Sequence, residues 1–104
     1  MTRLLLSADG AILRAFVAAY EAFTQEVNLP PEKRAIVHLP PEKKQLENYL
    51  VKVHESSQHY YVDFHPKRVS GDEGKLGADT TLGRALRFYV RKQDYEVVDV
   101  RPWR

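Results

Sequence analysis

The chain has no cysteine, which excludes a disulfide scaffold and any thiolate metal site while leaving the compartment open. It has no marked excess of one charge: sixteen basic against fourteen acidic residues leave a net charge of +2 over 104 residues. A field that weak does not steer a protein to nucleic acid. Long apolar runs are also missing. The opening Met1-Thr2-Arg3-Leu4-Leu5-Leu6-Ser7 is too short for a secretory core, and nothing later approaches a membrane span. The chain therefore reads as soluble and cytoplasmic. Glycine is scarce outside one stretch, with four of the five glycines at 71, 74, 77 and 83.

What is present is enough apolar residue, 43% with 11% aromatics, for the core of one domain over residues 1–104. Its second half alternates with a period of two. Tyr49, Val51 and Val53 alternate with Leu50, Lys52 and His54, and Tyr60, Val62 and Phe64 with Tyr61, Asp63 and His65. Leu86, Phe88 and Val90 alternate with Arg87, Tyr89 and Arg91, and Val98 and Val100 with Val97, Asp99 and Arg101. Such alternation predicts strands with one dry and one wet face.

The first half opens on a helix. Ser7 or Asp9 can cap it, and Ile12, Phe16, Ala19, Tyr20, Phe23 and Val27 recur at spacings of three and four as an apolar stripe. Asn28 can close it, and Pro30 and Pro31 stop it. Leu29-Pro30-Pro31-Glu32-Lys33 returns as Leu39-Pro40-Pro41-Glu42-Lys43, which predicts two short turns flanking a strand-like stretch at residues 35–38. The whole is an α+β domain: one N-terminal helix against a four- or five-stranded antiparallel sheet.

Register follows from keeping like faces together. Val53 is expected opposite Tyr60, Val51 opposite Val62 and Tyr49 opposite Phe64, with Ser56-Ser57 at the tip. The last hairpin is expected to set Phe88 opposite Val98, Leu86 opposite Val100 and Arg87 opposite Asp99, with Lys92-Gln93-Asp94 as its loop. Residues 66–83 form a long connection that lacks both the Walker spacing and a dinucleotide fingerprint.

Candidate chemistry is sparse. His54 and His59 are expected to face each other, but no third ligand accompanies them, and His59 and His65 lie roughly 20 Å apart on one strand. No metal site or cofactor is expected. Tyr61, Asp63 and His65 beside Arg87, Tyr89, Arg91 and Asp99 make a polar constellation without a nucleophile, an elbow or paired carboxylates. These side chains, together with Tyr95, Arg101 and Trp103, are types enriched at binding hot spots. The absence of a ribonucleoprotein motif argues against RNA. The candidate partner-binding residues are thus Tyr61, Asp63, His65, Arg87, Tyr89, Arg91 and Trp103, on a non-enzymatic protein that binds a protein partner through the open sheet face and the 66–83 loop. Two alternatives stand beside this: a small-molecule binder or enzyme with a cavity between helix and sheet, and a homodimer that buries its sheet face.

A helix followed by an antiparallel meander is the cystatin-like arrangement in its smallest form. The stretches Tyr60-Tyr61-Val62-Asp63-Phe64-His65-Pro66-Lys67-Arg68, Leu86-Arg87-Phe88-Tyr89-Val90-Arg91-Lys92 and Tyr95-Glu96-Val97-Val98-Asp99-Val100 flank a glycine-bearing loop. In this the C-terminal half resembles the small bacterial immunity proteins of the nuclear-transport-factor fold. The resemblance implies a non-catalytic protein that binds and blocks a toxin, and it carries over no site residues.

Overall fold

The computed structural model describes residues 1–67 and 85–102. Helix α1 (Gly10–Gln25) is followed by 3₁₀ turns at Pro31–Lys33, Pro41–Lys43 and Leu46–Asn48, with the single helical turn α2 (Arg34–Val37) between the first two. Strands β1 (Tyr49–Glu55), β2 (His59–Pro66), β3 (Leu86–Arg91) and β4 (Val97–Pro102) form one antiparallel sheet in sequence order. The expected α+β architecture is present, with four strands among the described residues. None of their helices is long and apolar enough to cross a membrane.

Asp9, not Ser7, caps α1: its carboxylate accepts the Ala11 amide at 2.8 Å. Five alanines favour the helix, and Ala15, Ala19 and Ala22 are small enough to bring its backbone close to the sheet. The helix closes one residue after Gln25. Glu26 takes the left-handed conformation (φ 56°) while its amide donates to the Ala22 carbonyl. Asn28, the expected stop, is also left-handed (φ 58°) but lies past the end. Val27 is consequently outside the helix and 37% exposed.

Both Pro-Pro-Glu-Lys segments form 3₁₀ turns, as expected. Residues 35–37 do not extend; only His38 does. The Arg34 amide donates to the Pro31 carbonyl, so the turn runs on into α2 and delivers Val37 to the core.

The core lies between α1 and the inner sheet face. Phe23 stacks on Phe64 (centroids 4.8 Å apart) and meets Tyr49 and Phe88 edge-on at 5.2 and 6.2 Å. Val62, Phe64, Leu86, Phe88, Val90 and Val100 are fully buried, so the expected inner face holds at these residues, but Val98, also expected there, is not buried and Val97 takes its place. Burying each such side chain contributes roughly 1.5–3 kcal/mol. Burial also pushes the Tyr49 hydroxyl up to about 12.

The registers differ from expectation. Val51 pairs with Phe64 and Val53 with Val62, a slip of two places in the first hairpin. The cause is the turn: the Ser56 hydroxyl accepts from the His59 amide and the Ser56 amide donates to the His59 carbonyl at 2.8 Å. That moves the two-residue tip one place along the chain, from Ser56-Ser57 to Ser57-Gln58. His54 therefore faces Tyr61, not His59.

In the last hairpin Phe88 pairs with Val100 and Arg87 with Arg101. A bulge then sets Val97, not Val98, opposite Val90. Tyr95 is left-handed (φ 58°), its amide donating to the Arg91 carbonyl, and the Arg91 amide donates to the Glu96 carbonyl. This longer loop places Val97 in the core and leaves Val98 half-buried.

Candidate recognition surface

Alternation sends a second set of side chains to the face away from α1, and the registers arrange them in rows across all four strands. One row reads Lys52, Asp63, Arg87, Arg101; the next reads His54, Tyr61, Tyr89, Asp99. In the second row the Tyr61 and Tyr89 rings meet edge-on at 5.1 Å. The Arg87 guanidinium lies 5.4 Å from the Tyr61 ring centroid, and that of Arg101 lies 5.3 Å from Tyr89. Two cations thus flank two rings, each within cation–π range.

Asp63 sits beneath this layer. It is 1% exposed, although it points to the outer face, because its neighbours fold over it. Arg87 Nε donates to its Oδ1 at 2.7 Å and Nη2 to its Oδ2 at 2.9 Å. The hydrogen bond to Asp63 holds the Arg87 guanidinium above its ordinary range. Two imidazoles approach the same carboxylate, His54 Nε2 at 3.6 Å and His65 Nε2 at 3.9 Å from Oδ2. Burial pushes His65 below the usual imidazole value, and Lys52, Arg87 and His54 add to this, while Asp63 opposes it. At the β4 edge Asp99 receives Arg101 Nε at 2.8 Å and Lys33 Nζ at 3.1 Å, which ties the first 3₁₀ turn to the sheet.

The arrangement does not suit a metal ion. Both Asp63 oxygens are held by a guanidinium whose charge repels a second cation. Among the described residues no group of three or more His, Asp or Glu is placed to bind one. Its chemistry is that of fixed hydrogen-bond donors and aromatic edges.

Of the expected site residues, Tyr61, Asp63, His65, Arg87 and Tyr89 come together. Arg91 does not join them: its guanidinium is held by Asp94 at 2.7 Å and Glu96 at 3.2 Å within the closing turn. Trp103 and residues 68–83 of the long connection lie outside the described residues. Tyr95 is on the other side of the sheet, stacked on Tyr60 at 6.5 Å with Arg14 4.4 Å over its ring. Arg87 pairs with Asp63 and not Asp99. Lys52 and His54 were missed as members of the site. The signal available was the β1–β2 register, since the alignment that sets Val51 against Phe64 also sets Lys52 against Asp63 and His54 against Tyr61.

The chain matches no family model, and no curated protein or solved structure matches it.

Proposed function

We propose that this chain is a non-enzymatic interaction domain that binds a protein partner on its outer sheet face, in the manner of an immunity-type inhibitor that covers a cytoplasmic toxin. The observation that supports this best is the ladder of Arg87, Tyr61, Tyr89 and Arg101. Tyrosine and arginine dominate binding hot spots, and side chains already held in place lose little entropy when a partner arrives. The carboxylates of the face lie under or beside their cations, so what meets a partner is rings and guanidinium groups. A ligand cavity between helix and sheet has less support, because Phe23, Phe64 and Phe88 occupy that space.

The test uses Tyr61→Ala with Tyr89→Ala, since both rings are only half-buried on the outer face. The expected result is an unchanged circular dichroism spectrum and loss of a protein that the unaltered chain retains on an affinity column at equal loading. Retention of that protein by the folded double variant overturns the reading. Arg87→Glu is unsuitable as a test, because it removes the partner of buried Asp63.

A further inference from the structure

On the helix side of the sheet, away from Tyr61 and Tyr89, the core is left incomplete. Helix α1 lies chiefly over β2 and β3, so Val51 and Val53 of β1 face inward yet stay half-exposed. Between them and the start of α1 runs a groove of about 240 Å³ whose walls include Leu6, Ile12, Leu13, Phe16, Val51 and Val53. No charged side chain lines it. Its volume falls below the ~300–1,000 Å³ of a typical small-molecule site and suits a few aliphatic side chains.

The same chain presents matching side chains. Leu4, Leu5 and Leu6 are 80%, 79% and 72% exposed, three consecutive leucines leaving from the rim of the groove. Leu4 and Leu5 do not enter the groove of their own chain, since only Leu6 reaches its wall. With Leu13, 43% exposed, and the groove walls they form an apolar patch on the order of 500 Å², at the upper end of what a monomer leaves open. Two such patches face to face bury about 500 Å² per partner, below the roughly 800 Å² of a standard interface and at the size of a weak, concentration-dependent contact.

We propose that a second copy of this chain covers the groove, in a two-fold dimer in which Leu4 and Leu5 of each copy enter the groove of the other. A donor segment and an acceptor groove on one surface make the contact self-complementary, as a closed two-fold requires. Two extended residues span about 7 Å, enough to carry Leu4 and Leu5 beyond the rim and across a close interface. This dimer leaves the outer sheet face free for its partner.

Sedimentation velocity from micromolar to millimolar concentration tests it. The expected result is a rise to twice the monomer mass, with Leu4→Ser/Leu5→Ser monomeric wherever the unaltered chain is dimeric and unchanged in circular dichroism. The chain lacks cysteine, so a Leu5→Cys copy mixed with a tagged Val53→Cys copy should form a mixed disulfide dimer under mild oxidant. A monomer at millimolar concentration overturns the proposal, including one that instead floats with neutral phosphatidylcholine vesicles. So does a dimer that survives Leu4→Ser/Leu5→Ser, or a Leu5→Cys/Val53→Cys chain that closes within itself while the mixture stays uncoupled.

Discussion

Asp63 and Arg87 stand directly opposite each other on β2 and β3 and are joined by two parallel hydrogen bonds, at 2.7 and 2.9 Å. The Asp63 side chain is almost wholly out of water, whereas the Arg87 side chain keeps about a fifth of its surface exposed. Fork-to-carboxylate geometry gives the pair both strength and direction. It also fixes the β2–β3 register beneath the aromatic row.

Removing one partner of such a pair costs more than the pair contributes, because a buried charge is left without compensation. Arg87→Met should therefore destabilise the fold by about 3 kcal/mol. Arg101→Met, at an ion pair whose arginine is 64% exposed, should cost under about 1 kcal/mol. Urea unfolding followed by circular dichroism distinguishes the two. Equal midpoints for both variants would show that the Asp63 site is not the anchor of the outer face.

Acid should weaken the fold through His65. Its imidazole is pushed below 6.5 by burial, with Lys52 and His54 on β1 and Arg87 on β3 adding to the effect and Asp63 opposing it. The unfolded chain therefore takes up this proton first as pH falls. The stability His65 contributes is fully present above 6.5 and is lost as pH drops through the lower folded value. Glu26 and Asp99, whose ordinary values are 4.5 and 3.8, are themselves lowered, so their losses come at more acid pH. Thermal unfolding should thus show a limb that falls as pH drops below 6.5, and His65→Gln should flatten it. A limb of equal depth in that variant removes His65 as the cause.

Strand positions and the inner face were readable from the sequence because a period of two survives any register slip of two places. Val51 faces inward whether it meets Val62 or Phe64, which is why the face was assigned correctly and the partner was not. Deciding between the two needs the turn, and the Ser56 hydroxyl that sets it is one polar atom without periodic signature. The helical turn at residues 34–37 was masked by Ile36 and Val37, whose branched side chains favour strands, while the hydrogen bond from Arg34 to Pro31 extended the preceding turn. The outer face was half legible. Its residue types were plain, but the rows depend on the order of strands across residues 68–84.

Glu26 sets two effects against each other. A non-glycine residue in the left-handed region costs about 1 kcal/mol, which Glu26→Gly would relieve. The same carboxylate holds Lys44 Nζ at 3.0 Å, and the lysine side chain is only 8% exposed. Stranding that ammonium costs several kcal/mol, on the order of 3, so the electrostatic loss exceeds the backbone gain. Glu26→Gly should lower the melting temperature, while Asn28→Gly, at an exposed residue with the same backbone angle, should leave it level or raise it slightly. Differential scanning calorimetry on both variants checks the ranking, and a stabilised Glu26→Gly would mean the Lys44 contact contributes little.

The β4 bulge makes adjacent, chemically identical residues unequal. Val97 pairs with Val90 and is 6% exposed, whereas Val98 is the extra residue and remains half-buried. Valine to threonine keeps shape and strand preference while adding one hydroxyl. Buried without a partner, that hydroxyl costs about 1–3 kcal/mol; at a half-exposed site water satisfies it. Val97→Thr should accordingly destabilise the domain by at least about 1 kcal/mol, and Val98→Thr by less than about 0.5 kcal/mol. A register without the bulge, with Phe88 opposite Val98, predicts the reverse order. Chemical unfolding of the two variants side by side therefore tests the bulge directly, since no other difference between the substitutions can produce the inversion.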